Sequence, residues 1–312
     1  MTNLTQSELN SLNQLLNSLN EIGRYEILEK SEVFIIKALE ELLPFVTHLV
    51  AYYKFPKIER VTINKRILKS NKRIRNIDFL KYPPKEYVTN YGRCNLKEQS
   101  IFYGAPLITT ALSEMRPKVG DLITKSIWKN TTNHNFKICP IFHIQPTNNT
   151  FNPRTNDLKN EFYKIIDKQY PDNLKEAIIN LSKFVAHHFG KFVNSKNHLN
   201  YIFSAFYADK IFNQFEGGTI EGILYPSVKE RLSFENLALN ADVFDKHFVL
   251  DEVQESIVIK DPSDGGNGLL QLGIIHCKDF DFKEKKILWS NNIMQPKERM
   301  DYYINTFELD LS

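Results

Sequence analysis

Residues 3–53 constrain the fold most, because they are almost free of Gly and Pro and carry a leucine stripe. Leu4, Leu9, Leu12, Leu15, Leu16 and Leu19 recur at spacings of three, four and five residues, and Ile35, Ile36, Leu39, Leu42 and Leu43 repeat the pattern. That period predicts two amphipathic helices, the second ending near Pro44, with a further helical turn or two over residues 45–53. Such a layer either packs its apolar stripe on the rest of the chain or serves as an assembly or partner-docking element. Further on, long helix–strand alternations are few, which argues against a doubly wound parallel sheet and for mixed α+β. The expected organisation is an N-terminal helical extension over 1–55 and a larger domain over 56–312.

Composition narrows the class. The chain has 312 residues, 42% hydrophobic and 25% charged, as expected of a globular protein with a large core. Forty basic against thirty-seven acidic residues give a net charge of +3, so nucleic acid is not an expected partner. The start, MTNLTQSELN, lacks the basic and apolar regions of a secretion signal, and no stretch is apolar enough to span a bilayer. Cys94, Cys139 and Cys277 have neither metal nor disulfide spacing, and such sparse cysteine usage fits a reducing cytoplasm.

Residues 56–80 are rich in Lys and Arg, with Val61, Ile63 and Ile67 among them, and read as a solvated strand face or loop. Strands are expected over 121–129, 138–144, 220–225, 269–276 and 286–290. Helices are expected over 156–169, 173–192 and 197–214, and the pair within 156–192 reads as an insertion covering one sheet edge. His187 and His188 are adjacent, face different helix sides and lack the i, i+4 spacing of a metal pair, so no metal is expected. Gly217-Gly218 is no dinucleotide fingerprint, and 264–268 reads as a loop tip.

Chemistry concentrates between Tyr91 and Gly120. Arg93 follows a turn glycine, Tyr103 closes an apolar run, and Glu114 lies on a short helix over 106–115 that Pro117 ends. Leu107, Ala111 and Glu114 share one helical face. An acid on that face needs a partner or a task.

The same stretch resembles the core of the RES domain family. The matching residues are Gly92-Arg93-Cys94-Asn95, then Phe102-Tyr103, then Thr110-Ala111-Leu112-Ser113-Glu114-Met115-Arg116. Gly222-Ile223-Leu224-Tyr225-Pro226-Ser227 and the later Asn236-Leu237-Ala238-Leu239 match the family's serine strand and the run that follows it. Three motifs in the right order carry more than any one alone. The resemblance implies a mixed-sheet core like the ADP-ribosyltransferase fold. It also implies an enzyme that consumes NAD, acting as a toxin or defence effector restrained by an antitoxin or other inhibitory protein. Family members hydrolyse or phosphorolyse NAD, the latter with inorganic phosphate as co-substrate, or transfer ADP-ribose to a protein.

The residues suit that chemistry. Breaking the ribosyl–nicotinamide bond develops positive charge on the ribose, which a carboxylate such as Glu114 can stabilise. Arg93 has the fork of donors that a pyrophosphate requires. The resemblance also implies a second arginine upstream, with Arg66 the choice over Arg73 and Arg75. Tyr103 can stack on nicotinamide or hold a ribose hydroxyl. Ser227 can hydrogen-bond nicotinamide or ribose, and it lacks the surroundings of a serine nucleophile. Asn236 either binds ligand or fixes the loop after Ser227, while Asn95 and Arg116 read as support. Two alternatives stay open: an ADP-ribosyltransferase with a specific protein target, and a catalytically silent binding module. Self-assembly through residues 4–43 is the other expected means of control.

Overall fold

The structure is a computed structural model, and it describes residues 4–142, 153–194, 197–227, 235–260, 270–290 and 292–312. The expected loop tip at 264–268, the last two residues of the strand expected over 138–144 and the first of the strand expected over 269–276 lie outside the described residues. In chain order the main elements begin with α1 (Gln6–Ile22), α2 (Glu32–Leu42), β1 (Ala51–Lys54), β2 (Lys57–Ile63), α3 (Asn64–Leu68), β3 (Ile101–Gly104), α4 (Ile108–Met115), β4 (Leu122–Asn130) and β5 (Asn135–Pro140). There follow α5 (Pro153–Gln169), α6 (Asp172–Gly190), α7 (Ile202–Asn213), β6 (Gly222–Pro226), β7 (Glu235–Asn240), α8 (Ala241–His247), β8 (Phe248–Lys260), β9 (Leu270–Cys277), β10 (Phe280–Asp281), β11 (Lys286–Ile287) and α9 (Lys297–Phe307). The class is mixed α+β with a mixed sheet.

The chain divides into two compact units. The first takes Met1–Tyr53, Pro84–Ile101 and Phe136–Asn240, and the second takes Lys54–Pro83, Phe102–Asn135 and Ala241–Ser312.

In the first unit, α1 begins at a capping box in which Thr5 and Glu8 satisfy each other's backbone N–H groups. Its leucines Leu12, Leu16 and Leu19 join Ile35, Leu39 and Leu42 of α2 in one core with Leu181 and Phe184 of α6 and Phe203 of α7. The N-terminal stripe is therefore buried against helices more than a hundred residues away in sequence. Gly23 ends α1 where space is short, since a Cβ there would lie 2.8 Å from Cε1 of His188. The turns expected over 45–53 are a correction: a 3-10 turn at Leu43–Phe45 is the last helical piece, and the chain then extends into β1. Val46, Thr47, Val50, Tyr52 and Tyr53 are β-branched or aromatic and favour that extended state. Strands β1, β5, β6 and β7 lie side by side in that order, with β5 parallel to β6 and β6 antiparallel to β7.

The second unit is built on an antiparallel sheet in the order β2-β4-β8-β9. Strand β8 runs for thirteen residues and was not foreseen in the sequence. Its register against β4 shifts between Ile127 and Trp128, so its apolar residues do not keep one alternation throughout. Trp128, Phe102 and Phe244 form an aromatic cluster, with Phe102 stacked on Phe244 at 3.9 Å and Trp128 edge-on to both. Burying a side chain such as Phe102 contributes about 2 kcal/mol. No described helix is long and apolar enough to cross a membrane.

Candidate functional site

Arg66, Tyr103 and Glu114 belong to the second unit, whereas Arg93, Ser227 and Asn236 belong to the first.

In the second unit, α4 lies on the sheet. Ala111 packs with Val61 and Ile63 of β2, flanked by Ile108, Leu112 and Met115. The face expected from the sequence is partly reproduced: Ala111 is buried and Glu114 partly buried, but Leu107 precedes the helix and is half exposed. The helix stops at Arg116, which takes a left-handed conformation (φ 46°) just before Pro117 and returns its N–H to Leu112 O. Arg66 lies on α3 and donates from Nη2 to Met115 O at 2.9 Å. It thus caps the turn that carries Glu114 and satisfies a terminal carbonyl.

Arg73 and Arg75, the alternatives to Arg66, have other employment. Arg73 donates from Nε and Nη2 to Oε2 of the fully buried Glu255, at 3.0 and 2.7 Å, and from Nη1 to Leu311 O at 2.8 Å. Its guanidinium also lies 5.1 Å from the Trp289 ring. Burial pushes the Glu255 carboxyl up, against the opposing pull of Arg73. Arg75 donates from Nε to Ser312 O at 2.9 Å. Both arginines hold the C-terminal segment in place.

Sequence reasoning missed Arg60. It sits in β2, which reads Lys57-Ile58-Glu59-Arg60-Val61-Thr62-Ile63. The 103–105 segment comes alongside: Glu59 and Ala105 exchange backbone hydrogen bonds at 2.8 and 2.9 Å. Arg60 Nη1 donates to Tyr103 O at 2.8 Å, and the guanidinium lies 5.5 Å from the Phe102 ring centroid. Nothing else among the described residues takes a hydrogen bond from this side chain, although a guanidinium has five N–H donors and Nε is sealed from solvent. No carboxylate among the described residues forms an ion pair with it. Burial lowers its pKa to about 10, with a small opposing pull from Tyr103. That still leaves it a cation at neutral pH. The available signal was an arginine set within a strand-like apolar run, where a charge requires a partner.

In the first unit, Arg93 has its donors engaged. Nη1 donates to Phe189 O at 2.5 Å and to His188 O at 3.3 Å, and Nη2 donates to Lys191 O at 3.1 Å. These carbonyls belong to the C-terminal end of α6, the negative end of its dipole. The guanidinium also lies 5.1 Å from the Tyr201 ring. Asn95 closes the same turn, donating from Nδ2 to Leu96 O at 2.9 Å and accepting Gly92 N–H at its backbone carbonyl. Beside it, burial drives the Cys94 thiol far up, so it stays protonated.

Ser227 directly follows β6 and is fully buried. Asn236, also buried, stands on β7 opposite Tyr225. Ser227 and Asn236 therefore sit at the same end of the β6–β7 pair, with residues 228–234 outside the described residues. His188, the buried member of the expected histidine pair, packs its ring on Phe184 and Phe203, and its Nδ1 has no hydrogen-bond partner.

No protein-family model matches this chain, and no curated protein matches it significantly.

Proposed function

We propose that the chain is an NAD-consuming enzyme of the RES kind, on an ADP-ribosyltransferase-like core, that breaks the ribosyl–nicotinamide bond. The observation that supports this reading is Arg60: a cation whose Nη1 donates to Tyr103 O, with a buried Nε that has no hydrogen-bond partner and no carboxylate ion-paired to it among the described residues. An anion with several oxygens fits that vacancy in the hydrogen bonding, and a pyrophosphate is such an anion.

In this reading Arg60 and Arg66 hold the pyrophosphate. The C–N bond breaks with its electron pair leaving on nicotinamide, and the ribose becomes oxocarbenium-like. Glu114 stabilises that charge, and a water or phosphate oxygen completes the bond at the ribose carbon. Tyr103 stacks on nicotinamide or holds a ribose hydroxyl. Arg93, expected to contact pyrophosphate, is assigned to positioning its turn on α6. The reading implies an enzyme whose host must restrain it, through an inhibitory partner such as an antitoxin.

The test is release of free nicotinamide from NAD by the purified chain, with and without inorganic phosphate. Release without phosphate is expected for hydrolysis, and a strict phosphate requirement identifies phosphorolysis. ADP-ribose appearing on an added protein would shift the reading to transfer. No consumption of NAD under any of these conditions would leave the binding-module alternative.

A further inference from the structure

We propose that the groove between α1 and the end of α2 is a docking site for one basic amphipathic helix of a partner protein. The groove encloses about 560 Å³ and belongs wholly to the first unit. The proposal does not depend on the NAD reading.

The shape of the groove comes from α1. Ser7, Ser11 and Ser18 line it at i, i+4 and i+11, one stripe along the helix, and all three are exposed. Side chains this small let a second helix approach closely. Within α1 the lining runs from Ser7 to Ser18, about 17 Å of helix at 1.5 Å per residue, enough for roughly three turns of an incoming helix. The floor is apolar, with Leu12 and Leu42 buried and Leu15 and Phe45 partly so. These are the features of helix-in-groove recognition, in which anchors at i, i+3 or i+4, and i+7 enter an apolar channel.

Charge selects the occupant. Glu8 and Glu41 stand at the rim, and no Lys or Arg is among the described lining residues. Residues 1–45 hold seven glutamates against three basic residues, in a chain whose net charge is +3. The acidic rim complements lysines or arginines flanking an apolar stripe. It disfavours a second copy docking through this same face, because that would set Glu8 and Glu41 against their own counterparts.

The probe is a labelled 14-residue peptide with leucines at helical i, i+3, i+4 and i+7 spacing and lysines elsewhere, titrated into the full chain by fluorescence anisotropy. A glutamate-for-lysine version and a scrambled version serve as controls. Saturable one-to-one binding is expected, weakened tenfold or more in both control peptides. Ser11→Arg fills the groove and reverses its charge at an exposed position that tolerates arginine, and it should weaken binding by a similar factor. Asn17→Arg adds the same charge on an exposed part of α1 that does not line the groove, and should leave binding within about twofold. Circular dichroism checks that both variants fold. Equal binding of the scrambled peptide would overturn the proposal, as would equal losses in the two variants. A wild-type dimer in sedimentation that Ser11→Arg dissolves would also overturn it, by making a second copy the occupant.

Discussion

The turn at Arg93 and the strand at Arg60 place the same side chain in opposite circumstances. In the helical unit, Arg93 meets three carbonyl oxygens at the end of α6 and an aromatic face. In the sheet unit, Arg60 has one carbonyl, an aromatic ring and a buried Nε without a partner. A guanidinium saturated by backbone acceptors is fixed in the fold, and taking it to a ligand would first break those bonds. A guanidinium with open donors in partly dehydrated surroundings gains by accepting an anion. The lesson is that a motif arginine and a ligand arginine need not be the same residue.

The largest expected effect concerns the acid on α4. Glu114→Gln keeps size and much of the hydrogen bonding while removing the charge, so turnover should fall by about a hundredfold or more. Steady-state nicotinamide release checks it, and near-normal turnover in folded protein would remove Glu114 from the mechanism.

The next effect tests the saturated arginine. Arg93→Ala leaves three carbonyls at the end of α6 without their donor, and should cost about 2 kcal/mol of stability. In thermal melts the midpoint should drop by about 3 °C. An unchanged midpoint together with weakened NAD binding would reverse the roles assigned to the two arginines.

A smaller effect comes from His188, buried on the turn of α6 that caps Arg93. Burial holds its pKa well below the ordinary value, helped by His187 and Lys191 nearby. The folded ring stays neutral, while the unfolded one takes a proton below about pH 6.5. The unfolded state then binds the extra proton, so stability falls as pH drops below that value, by about 1.4 kcal/mol at one unit below it. Melts between pH 7.5 and 5 should show the loss, and His188→Phe should reduce it. An identical acid-side slope in the variant would place its origin elsewhere.

How much of this was legible in the sequence differs between regions. The leucine stripe announced α1 and α2 because one helical period governs both, and α4 was bounded by Pro117, which does stop it at Arg116. Strand β8 was hidden because a register shift interrupts its alternation. The return of residues 84–101 and 136–240 to the first unit has no local signature. The partners of Arg93 stand 95 to 98 positions along the chain and are backbone carbonyls, which carry no residue code. Arg60 was visible only as a cation in a strand, since sequence cannot tell that no carboxylate among the described residues pairs with it.

The central claim is that Arg60, rather than Arg93, takes the pyrophosphate. Its most direct test is NAD affinity of Arg60→Gln, which can keep the hydrogen bond to Tyr103 O while losing the charge and the fork, measured by titration calorimetry beside a thermal melt. The account predicts binding weakened tenfold or more, with a midpoint within about 2 °C of the parent chain. Unchanged NAD affinity in a folded Arg60→Gln protein would contradict it.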